Sequence, residues 1–421
     1  MNVTGIIAEY NPFHLGHMHQ MNYIKEVFDS DYIIVVMSGD YVQRGTPALL
    51  PKHVRTEMAL RCGADLVLEL PVQISSASAE FFARGGVSLL DNLQVVNSLC
   101  FGSEEGNTER MLHMARILNQ EPEEYKKLLQ NFLKQGKSFP AARSQALKEY
   151  LCQTASPAKK SASVDSLLSS PNNILGIEYC RAILKLHSSI KPVTLKREGA
   201  AYHETSLLSG QNPSASAVRN FLTSGNIPET GDIQPELSLL SPMLPPPSFA
   251  LLKEALEKKE FLTEHDLDSI LHYCLLSEVS GNFAQYADVS QELSDRIRNQ
   301  LGSCRSFSQF AELLKTKELT RARIQRALLH ILLHIKEAPP GLSWARVLGF
   351  KKDSAPLLKE IKKKGKIPLL TKLADAHKVL SPGSLSLLEE NTRASNIYES
   401  LLCQKSGKTF KHEYQKQILI I

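Results

Sequence analysis

The sequence predicts an α/β fold in which a Rossmann-like domain with a parallel sheet precedes a mainly helical C-terminal region that ends in a small α/β tail. Two patterns support this class. Short apolar runs alternate with segments of helical spacing over the first hundred residues, and most of these runs have consecutive apolar residues rather than one at every second position. Such strands are typical of a parallel sheet that is covered by helices on both faces.

The elements of the first hundred residues follow one another in regular order. Apolar runs predict strands at Val3–Ala8, Tyr32–Met37 and Leu66–Leu70, and a further run covers Val95–Phe101. Helical spacing predicts helices over His17–Phe28, from Pro51 to near Gly63, and around Ala77–Leu90.

Helical spacing predominates in the remainder of the chain. It predicts helices within residues 107–151, at Asn172–Leu186 and at Ser214–Leu222, a Ser-rich loop over Gln153–Ser170, and a short strand at Pro192–Leu195. Four prolines between Leu240 and Pro247 mark a boundary, and helical patterns through residues 249–335 precede the mixed tail. We therefore predict two domains, residues 1–240 and 249–421.

Composition excludes several classes of protein. The chain is 43% hydrophobic and 22% charged, and it has no apolar run near the ~20 residues of a membrane span. Its N-terminus lacks the pattern of a secretory signal, and its seven cysteines include no CxxC pair that would suggest a zinc site. These features predict a soluble cytoplasmic protein with no metal ligands of its own, no membrane contact and no evident stable protein partner.

The segment from Glu9 to His17 has the strongest chemical signal. It reads Glu-Tyr-Asn-Pro-Phe-His-Leu-Gly-His and lies where the first strand leads into the first helix, the edge at which parallel sheets bind ligands. The helix start offers free N–H groups to a phosphate, and Gly16 allows a close backbone approach. His14 and His17 are suited to stabilising charge on an α-phosphate under attack. The alternative is a turn with two surface histidines.

A second segment, residues 214–219, reads Ser-Ala-Ser-Ala-Val-Arg. Hydroxyl groups at the start of a helix and an arginine one turn later are suited to holding the β- and γ-phosphates of a nucleotide. Taken alone, the same residues would form a helix cap beside a surface arginine. Together with the histidine segment they predict a phosphate clamp formed by Ser214, Ser216 and Arg219.

These motifs resemble two signatures of the nucleotidylyltransferase superfamily, HxGH and a pattern similar to ISSTxxR. More specific strings narrow the resemblance to the bacterial tRNA(Met) cytidine acetate ligase family, and the match covers essentially the whole chain. The strings are Met37–Gly45, Phe101–Glu104, Ser170–Gly176, Lys196–Gly199, Trp344–Phe350 and the Lys-rich segment that follows.

The resemblance implies an ATP-dependent ligase that joins acetate to AMP and passes the acetyl group to N4 of the wobble cytidine in elongator tRNA(Met). It implies catalytic roles for His14, His17, Ser216 and Arg219, and Mg²⁺ carried by the substrate ATP. The contacts to ATP are expected at Ile7, Ala8, Glu9, Tyr10, Asn11, Pro12, Phe13, His14, Leu15, Gly16, His17, Met18, His19 and Gln20.

Four further residues are candidates for the nucleotide site. Gly102 follows an apolar run and would let adenosine lie against the backbone, although a glycine there also suits a turn. Asn172 and Asn173 follow Pro171 at a helix start, where either side chain serves the nucleotide or caps the helix. Arg197 offers a planar fork to a phosphate or is a surface charge. His203 and Glu204 allow a pair for proton transfer or a surface cluster.

The C-terminal third has a concentration of basic residues. The net charge is +5 for the whole chain but +9 over residues 311–370, where 14 Lys and Arg face 5 Asp and Glu. A helix over Thr320–Lys336 would place basic residues on a face opposite its apolar stripe, and a Lys-rich segment follows it. Such surfaces bind phosphate backbones, although a single stripe is more often only solvated. We expect tRNA contacts at Arg323, Arg326, Lys351, Lys352 and Lys363, with His330 and His334 on the same face as the arginines.

Two other functions remain open from the sequence. A nucleotidylyltransferase that adds AMP to a small phosphorylated metabolite would use the same two signatures. A non-catalytic RNA-binding protein with a vestigial nucleotide fold would need neither, and the intact histidines argue against it.

Overall fold

A computed structural model describes residues 1–154, 167–168, 170–197, 215–223, 237–339 and 341–421. The strands within these ranges are β1 (Val3–Ala8), β2 (Tyr32–Ser38), β3 (Tyr41–Val42), β4 (Thr46–Pro47), β5 (Leu66–Leu70), β6 (Ser98–Ser103), β7 (Lys191–Lys196), β8 (Ala345–Phe350), β9 (Leu369–Leu370) and β10 (Leu419–Ile420).

The helices that cover the sheet lie mainly in the first half of the chain. They are α1 (Leu15–Val27), α2 (Lys52–Arg61), α3 (Val72–Ser75), α4 (Ala79–Asn92), α5 (Thr108–Gln120), α6 (Glu123–Lys134), α7 (Phe139–Thr154), α8 (Pro171–Lys185) and α9 (Ala215–Thr223). Each predicted helix of this half overlaps an observed one.

The second half is mainly helical, as predicted. Its α-helices are α10 (Pro246–Glu257), α11 (Asp268–Ser277), α12 (Gln291–Gln300), α13 (Phe307–Leu313), α14 (Arg321–Leu333), α15 (Ala355–Lys364) and α16 (Pro382–Ser406). Short 3₁₀ turns lie at Ser241–Met243, Glu264–Leu267, Phe283–Gln285, Leu301–Ser303, Lys352–Ser354, Leu373–Lys378 and Glu413–Gln415. Among the described residues, no helix is long and apolar enough to cross a membrane.

The predicted parallel sheet is confirmed in its central part. Strands β5, β2, β1, β6 and β7 are all parallel, with β1 beside both β2 and β6. Successive residues point to opposite faces, so Ile33 and Val35 pack beneath α1 and α2 while Ile34 and Val36 pack in the core with α4 and α8. Because helices cover both faces, the central strands have apolar residues at successive positions, as in Ile33–Met37 of β2.

The strands of the predicted C-terminal tail belong to the same sheet. β8 pairs antiparallel with β5 and carries β9 and β10 beside it, so the described strands form one mixed sheet in the order β10-β8-β5-β2-β1-β6-β7. The predicted α/β fold with its small C-terminal tail is confirmed, and the tail contributes its strands to the same sheet. Whether residues 1–240 and 249–421 fold as independent domains stays a prediction, although the sheet takes strands from both.

A buried ion cluster joins the two parts of the chain. The Lys52 ammonium lies 2.7 Å from carboxylate oxygens of both Glu69 and Glu413, and 3.4 Å from Asp40. The Arg346 guanidinium on β8 contacts Glu69 at 2.7 Å and Glu413 at 2.6 Å. Burial raises the pKa of the Glu413 carboxyl, but the two cations outweigh burial and hold that pKa well below its usual range.

Lys52→Met is expected to lower the free energy of unfolding by about 3–5 kcal/mol, because it leaves buried carboxylates without their main partner. Lys364→Met is the control: its pair with Glu360 lies at the surface and is screened by solvent, so the loss should be much smaller. Urea unfolding at pH 7 measures both values. Equal losses in the two variants would show that the buried cluster contributes no more than a surface pair.

Candidate nucleotide-binding site

A cavity of about 260 Å³ opens at the carboxyl ends of β1, β6 and β7. This is the edge at which open parallel sheets bind ligands. Of the residues predicted to contact the nucleotide, the cavity is lined by Ile7, Ala8, Glu9, Tyr10, Asn11, His14, Gly16, His17, His19, Gln20, Gly102, Asn172, Arg197, Ser216 and Arg219.

Several other predicted contacts do not line the cavity. Phe13 is fully buried in the core, where its ring lies 4.8 Å from that of Tyr10 and 5.4 Å from that of His17. Through these ring contacts, Phe13 supports the histidine loop from the core. The remaining predicted residues outside the cavity wall are Pro12, Leu15, Met18 and Asn173.

The two histidines are held by the first turn of α1. His14 is the N-cap residue, and its Nδ1 accepts a hydrogen bond from the Gly16 N–H at 3.0 Å. The His17 Nδ1 accepts from the His14 N–H at 3.2 Å, and the two rings stack with centroids 3.7 Å apart. A Cβ on residue 16 would lie only 2.9 Å from the His14 ring, so glycine is needed for this arrangement.

These hydrogen bonds determine the tautomer of each ring. Burial lowers the pKa of His14 to about 3, helped by Arg197 and Arg219, and burial beside His14 holds the pKa of His17 well below its usual range. Both rings are therefore neutral near pH 7, and each Nδ1 is already an acceptor. The ring proton must lie on Nε2, so each histidine is a neutral N–H donor at the cavity.

Arg219 holds the loop between β1 and α1 by hydrogen bonds from the opposite side. The Arg219 guanidinium on α9 donates to the Asn11 carbonyl at 2.6 Å and to the Ser216 hydroxyl at 3.1 Å. The Asn11 side chain in turn accepts from the Leu49 N–H at 2.8 Å. The structure thus brings Ser216 and Arg219 to the histidines, as predicted, while Ser214, His203 and Glu204 lie outside the described residues.

The far side of the cavity is formed by β6, β7 and the start of α8. A Cβ on Gly102 would lie 3.4 Å from Arg197 Cγ, an ordinary contact, so the protein alone does not require glycine there. The missing side chain leaves a flat surface between the strand and Arg197. That surface is suited to a base or a ribose.

Asn172 and Asn173 differ in their surroundings. The Asn172 amide lines the cavity and donates to Glu104 at 2.7 Å. Asn173 is buried, and its Oδ1 accepts from the Glu105 N–H at 3.1 Å. Of the two residues, Asn172 is therefore the one in position to meet a ligand, while Asn173 holds the loop after β6.

Sequence reasoning missed part of the cavity wall. Gln43 and Arg44 line the cavity from the hairpin β3–β4. They lie within Met37–Gly45, a string that carries the family resemblance, but they were not predicted as contacts. The apolar lining had no separate signal, because a helix residue that faces a cavity has the same spacing as one that faces a core. The further lining residues are Phe82, Phe101, Pro171, Leu175, Tyr179, Leu195, Lys196 and Ala215.

The predicted basic face of α14 is only partly present. Arg326 is paired with Asp288 at 2.8 and 3.3 Å, with its side chain 13% exposed, and His330 is buried against Ser76 and Ala287. The prediction of one exposed basic face was therefore wrong for these two residues. Arg323 is half-buried and His334, just past the helix, is exposed.

The lysines after β8 lie at the other edge of the sheet. Because β8 runs antiparallel to β5, the Lys351 N–H meets the carbonyl of Asp65, the residue before β5 begins, at 3.0 Å. α15, with Lys363, ends near the same edge, where the Lys366 N–H donates to the Asn92 carbonyl at 2.9 Å. The structure therefore does not bring Lys351, Lys352 and Lys363 to the cavity.

A neutral histidine pair at a helix start, facing a cavity at the strand ends, defines a nucleotidyl transferase site. The model of the HIGH Nucleotidyl Transferase family matches residues 1–414, and the chain belongs to that family. Within it, the chain is 40% identical to the tRNA(Met) cytidine acetate ligase of Clostridium perfringens over 406 residues, 95% of this chain and 96% of that protein. The chain is a member of the tRNA(Met) cytidine acetate ligase family.

Other comparisons agree along the whole chain. The tRNA(Met) cytidine acetate ligase of Clostridium acetobutylicum is 39% identical over 428 residues, with all of both chains covered. The crystal structure of Thermotoga maritima TmcAL bound with α-thio ATP is 30% identical and superposes with a TM-score of 0.88 over 100% of both chains. The apo form of the same protein is 31% identical to this chain and superposes with a TM-score of 0.91.

His14→Asn is expected to flatten the pH dependence of stability. Because the folded pKa of His14 lies below the unfolded value near 6.5, the unfolded chain takes up a proton first as pH falls, and stability is lost. Between pH 6 and pH 4, the wild type should lose about 2.5 kcal/mol more than the variant in urea unfolding. His113→Asn, on the exposed side of α5, is the control, and a wild-type loss no larger than that of His14→Asn would contradict a buried neutral ring.

Proposed function

We propose that this chain is an ATP-dependent acetate ligase, which forms acetyl-adenylate and acetylates N4 of the wobble cytidine of elongator tRNA(Met). The observation that carries the proposal is the pair of neutral Nε2–H donors, His14 and His17, beside the guanidinium groups of Arg197 and Arg219. The likeness to relatives named tRNA(Met) cytidine acetate ligase supports the acid and the acceptor. On this proposal the reaction takes place in the cytoplasm, where tRNA is found.

The first step makes the adenylate. A carboxylate oxygen of acetate attacks the α-phosphorus of ATP, the bond from that phosphorus to the bridging oxygen breaks, and pyrophosphate leaves. Negative charge increases on the phosphate oxygens in the transition state, where His14 and His17 donate hydrogen bonds that are already oriented. Arg219, with Ser216 beside it, holds the leaving pyrophosphate. No proton transfer is needed, which suits imidazoles that stay neutral.

On this proposal the adenosine part of ATP lies across the cavity from the histidine loop. Gly102 offers the flat surface for adenosine, Asn172 offers an amide to its polar edge, and Arg197 lies at the phosphates. Among the described residues, no group of three His, Cys, Asp or Glu side chains is arranged to hold a metal ion. We propose that Mg²⁺ enters on the phosphates of ATP.

The second step transfers the acetyl group. The N4 amine of cytidine attacks the acyl carbon of acetyl-adenylate, the carbon–oxygen bond to AMP breaks, and the nitrogen gives its proton to the departing AMP phosphate or to water. The base must therefore reach the cavity while the rest of the tRNA lies on the protein surface. Cations near the cavity are better placed for that contact than cations at the other edge of the sheet.

The helix α14 lies on the cavity side of the molecule. A Cβ on Gly45 would come within 2.3 Å of the Arg326 backbone nitrogen, so the hairpin β3–β4 rests directly on the first turns of α14. The same hairpin supplies Gln43 and Arg44 to the cavity. We place the tRNA against this side, with Arg323 as a phosphate contact, and not across Lys363.

Purified protein with ATP, radiolabelled acetate and bulk tRNA is expected to yield labelled N4-acetylcytidine on nucleoside analysis. Acetate-dependent exchange between ATP and pyrophosphate should occur without tRNA, since adenylation is a separate step. Exchange that depends instead on a phosphorylated metabolite, with no label in tRNA, would favour a nucleotidylyltransferase that releases an AMP adduct.

In the same assay, His17→Ala is expected to slow exchange by about 10²–10³-fold, because it removes one oriented donor to the transition state. His113→Ala, an exposed histidine on α5, should exchange at the wild-type rate. A folded His17→Ala protein with near wild-type exchange would contradict the catalytic role of this ring.

Arg323→Glu is expected to weaken tRNA binding and to reduce the slope of its salt dependence by about one log unit for the lost phosphate contact. Lys363→Glu, at the opposite edge, should leave both values unchanged, and neither variant should alter exchange. Arg326→Glu is unsuitable, because it would place a carboxylate against Asp288. Weaker binding by Lys363→Glu alone would place the tRNA at the other edge of the sheet.

A further inference from the structure

Arg55 on α2 is a fully buried cation that makes no close ion pair with the cluster, whose carboxylates Asp40 and Glu69 act on it only at longer range. Its guanidinium donates to the carbonyls of Leu50 at 2.9 Å, Glu9 at 2.7 Å and Ser38 at 3.0 Å, and also to that of Gly39. Within the described residues, no carboxylate lies within 4 Å of it. All of its contacts are therefore to neutral backbone oxygens.

Three of these carbonyls lie where strands end and the cavity loops begin. The Glu9 carbonyl follows β1 and precedes the histidine loop, while the Ser38 and Gly39 carbonyls end β2 and precede the hairpin that carries Gln43 and Arg44. Parallel strands leave carbonyl groups without ladder partners at their carboxyl ends, and an unpaired buried carbonyl is costly. Arg55 satisfies both strand ends with one side chain.

Few residues separate the Arg55 contact at Glu9 from the two histidines, and the backbone between them is conformationally restricted. Directly after Glu9, Tyr10 adopts a φ of 47°, in the left-handed region that a bulky residue seldom occupies. The Glu9 carboxylate also accepts from the Gln43 N–H at 3.0 Å, so the two loops are tied together above Arg55. A shift of the Glu9 carbonyl would therefore move the histidine loop and the hairpin relative to each other.

A lysine would not replace this group. The guanidinium is a planar fork whose five N–H donors are fixed in direction, whereas an ammonium is a point charge on a flexible stem. Burial of a cation without a carboxylate partner is unfavourable, and burial lowers the pKa of Arg55. An apolar residue would fill the same space in α2 without that penalty, but it would leave three strand-end carbonyls unpaired.

We propose that Arg55 is a positioning residue for adenylation, whose buried guanidinium holds the strand ends of β1 and β2 so that the histidine loop and the hairpin face the reacting phosphate. This inference rests on the proposed function, because it concerns the placement of His14 and His17 in that step. Arg55 itself does not touch the substrates. Its effect comes through the backbone of the two loops.

Arg55→Lys and Arg55→Gln test the proposal in acetate-dependent ATP–pyrophosphate exchange. The rate is divided by the concentration of ATP-binding sites, titrated by equilibrium binding of ATP, so that misfolded protein does not count. We expect the rate per binding site to fall by about 10²-fold, the order of loss caused by a misplacement near 1 Å, with KM for ATP changed by less than about threefold. Wild-type exchange, measured first, tests the proposed function separately.

Arg346→Lys is the matched control, because Arg346 on β8 is also a buried arginine, but its partners are the carboxylates of Glu69 and Glu413. It should lower the melting temperature like Arg55→Lys, yet keep the exchange rate per binding site within about threefold of wild type. Equal rate losses in the two lysine variants, or an unchanged rate in Arg55→Lys, would overturn the proposal. Failure of both Arg55 variants to fold would also overturn it, since Arg55 would then serve the fold as a whole.

Discussion

The buried charges around Lys52 are the constraint on which the rest of the structure depends. Asp40 follows β2, Glu69 lies on β5, Arg346 on β8 and Glu413 near the C-terminus, so a single cluster links segments that are more than 350 residues apart. Because an unpaired buried charge is so unfavourable, these segments can only assemble together. The last strands of the chain thereby complete the sheet that carries the nucleotide cavity.

That assembly places the helical region beside the nucleotide cavity. The hairpin β3–β4 begins at Asp40 of the cluster, rests on α14 through Gly45, and sends Gln43 and Arg44 into the cavity. One short hairpin therefore lies between α14 and the cavity. If tRNA binds on α14 as proposed, the nucleotide site and the RNA surface are joined by direct contact.

Within the cavity, burial decides the chemical character of the histidines. Exposed imidazoles would exchange protons near neutral pH, but these rings are stacked, buried and close to two guanidinium groups, so they stay neutral. Backbone N–H groups occupy both Nδ1 atoms, which leaves Nε2–H as the donor. On the proposed function, the two rings would stabilise charge on the α-phosphate by oriented hydrogen bonds while staying neutral.

Local pattern alone determined much of this protein. Apolar runs located β1, β2 and β5, helical spacing located most helices, and His14, Gly16 and His17 marked the site because a strand, a loop and a helix start are local features. Tertiary structure alone decided the antiparallel join of β8 to β5, the pairing of Arg326 with Asp288, the burial of His330, the separation of Lys363 from the cavity, and the different roles of Asn172 and Asn173. The physical reason is that periodicity shows which face of an element is apolar, whereas partners for buried charges and amides come from residues distant in sequence.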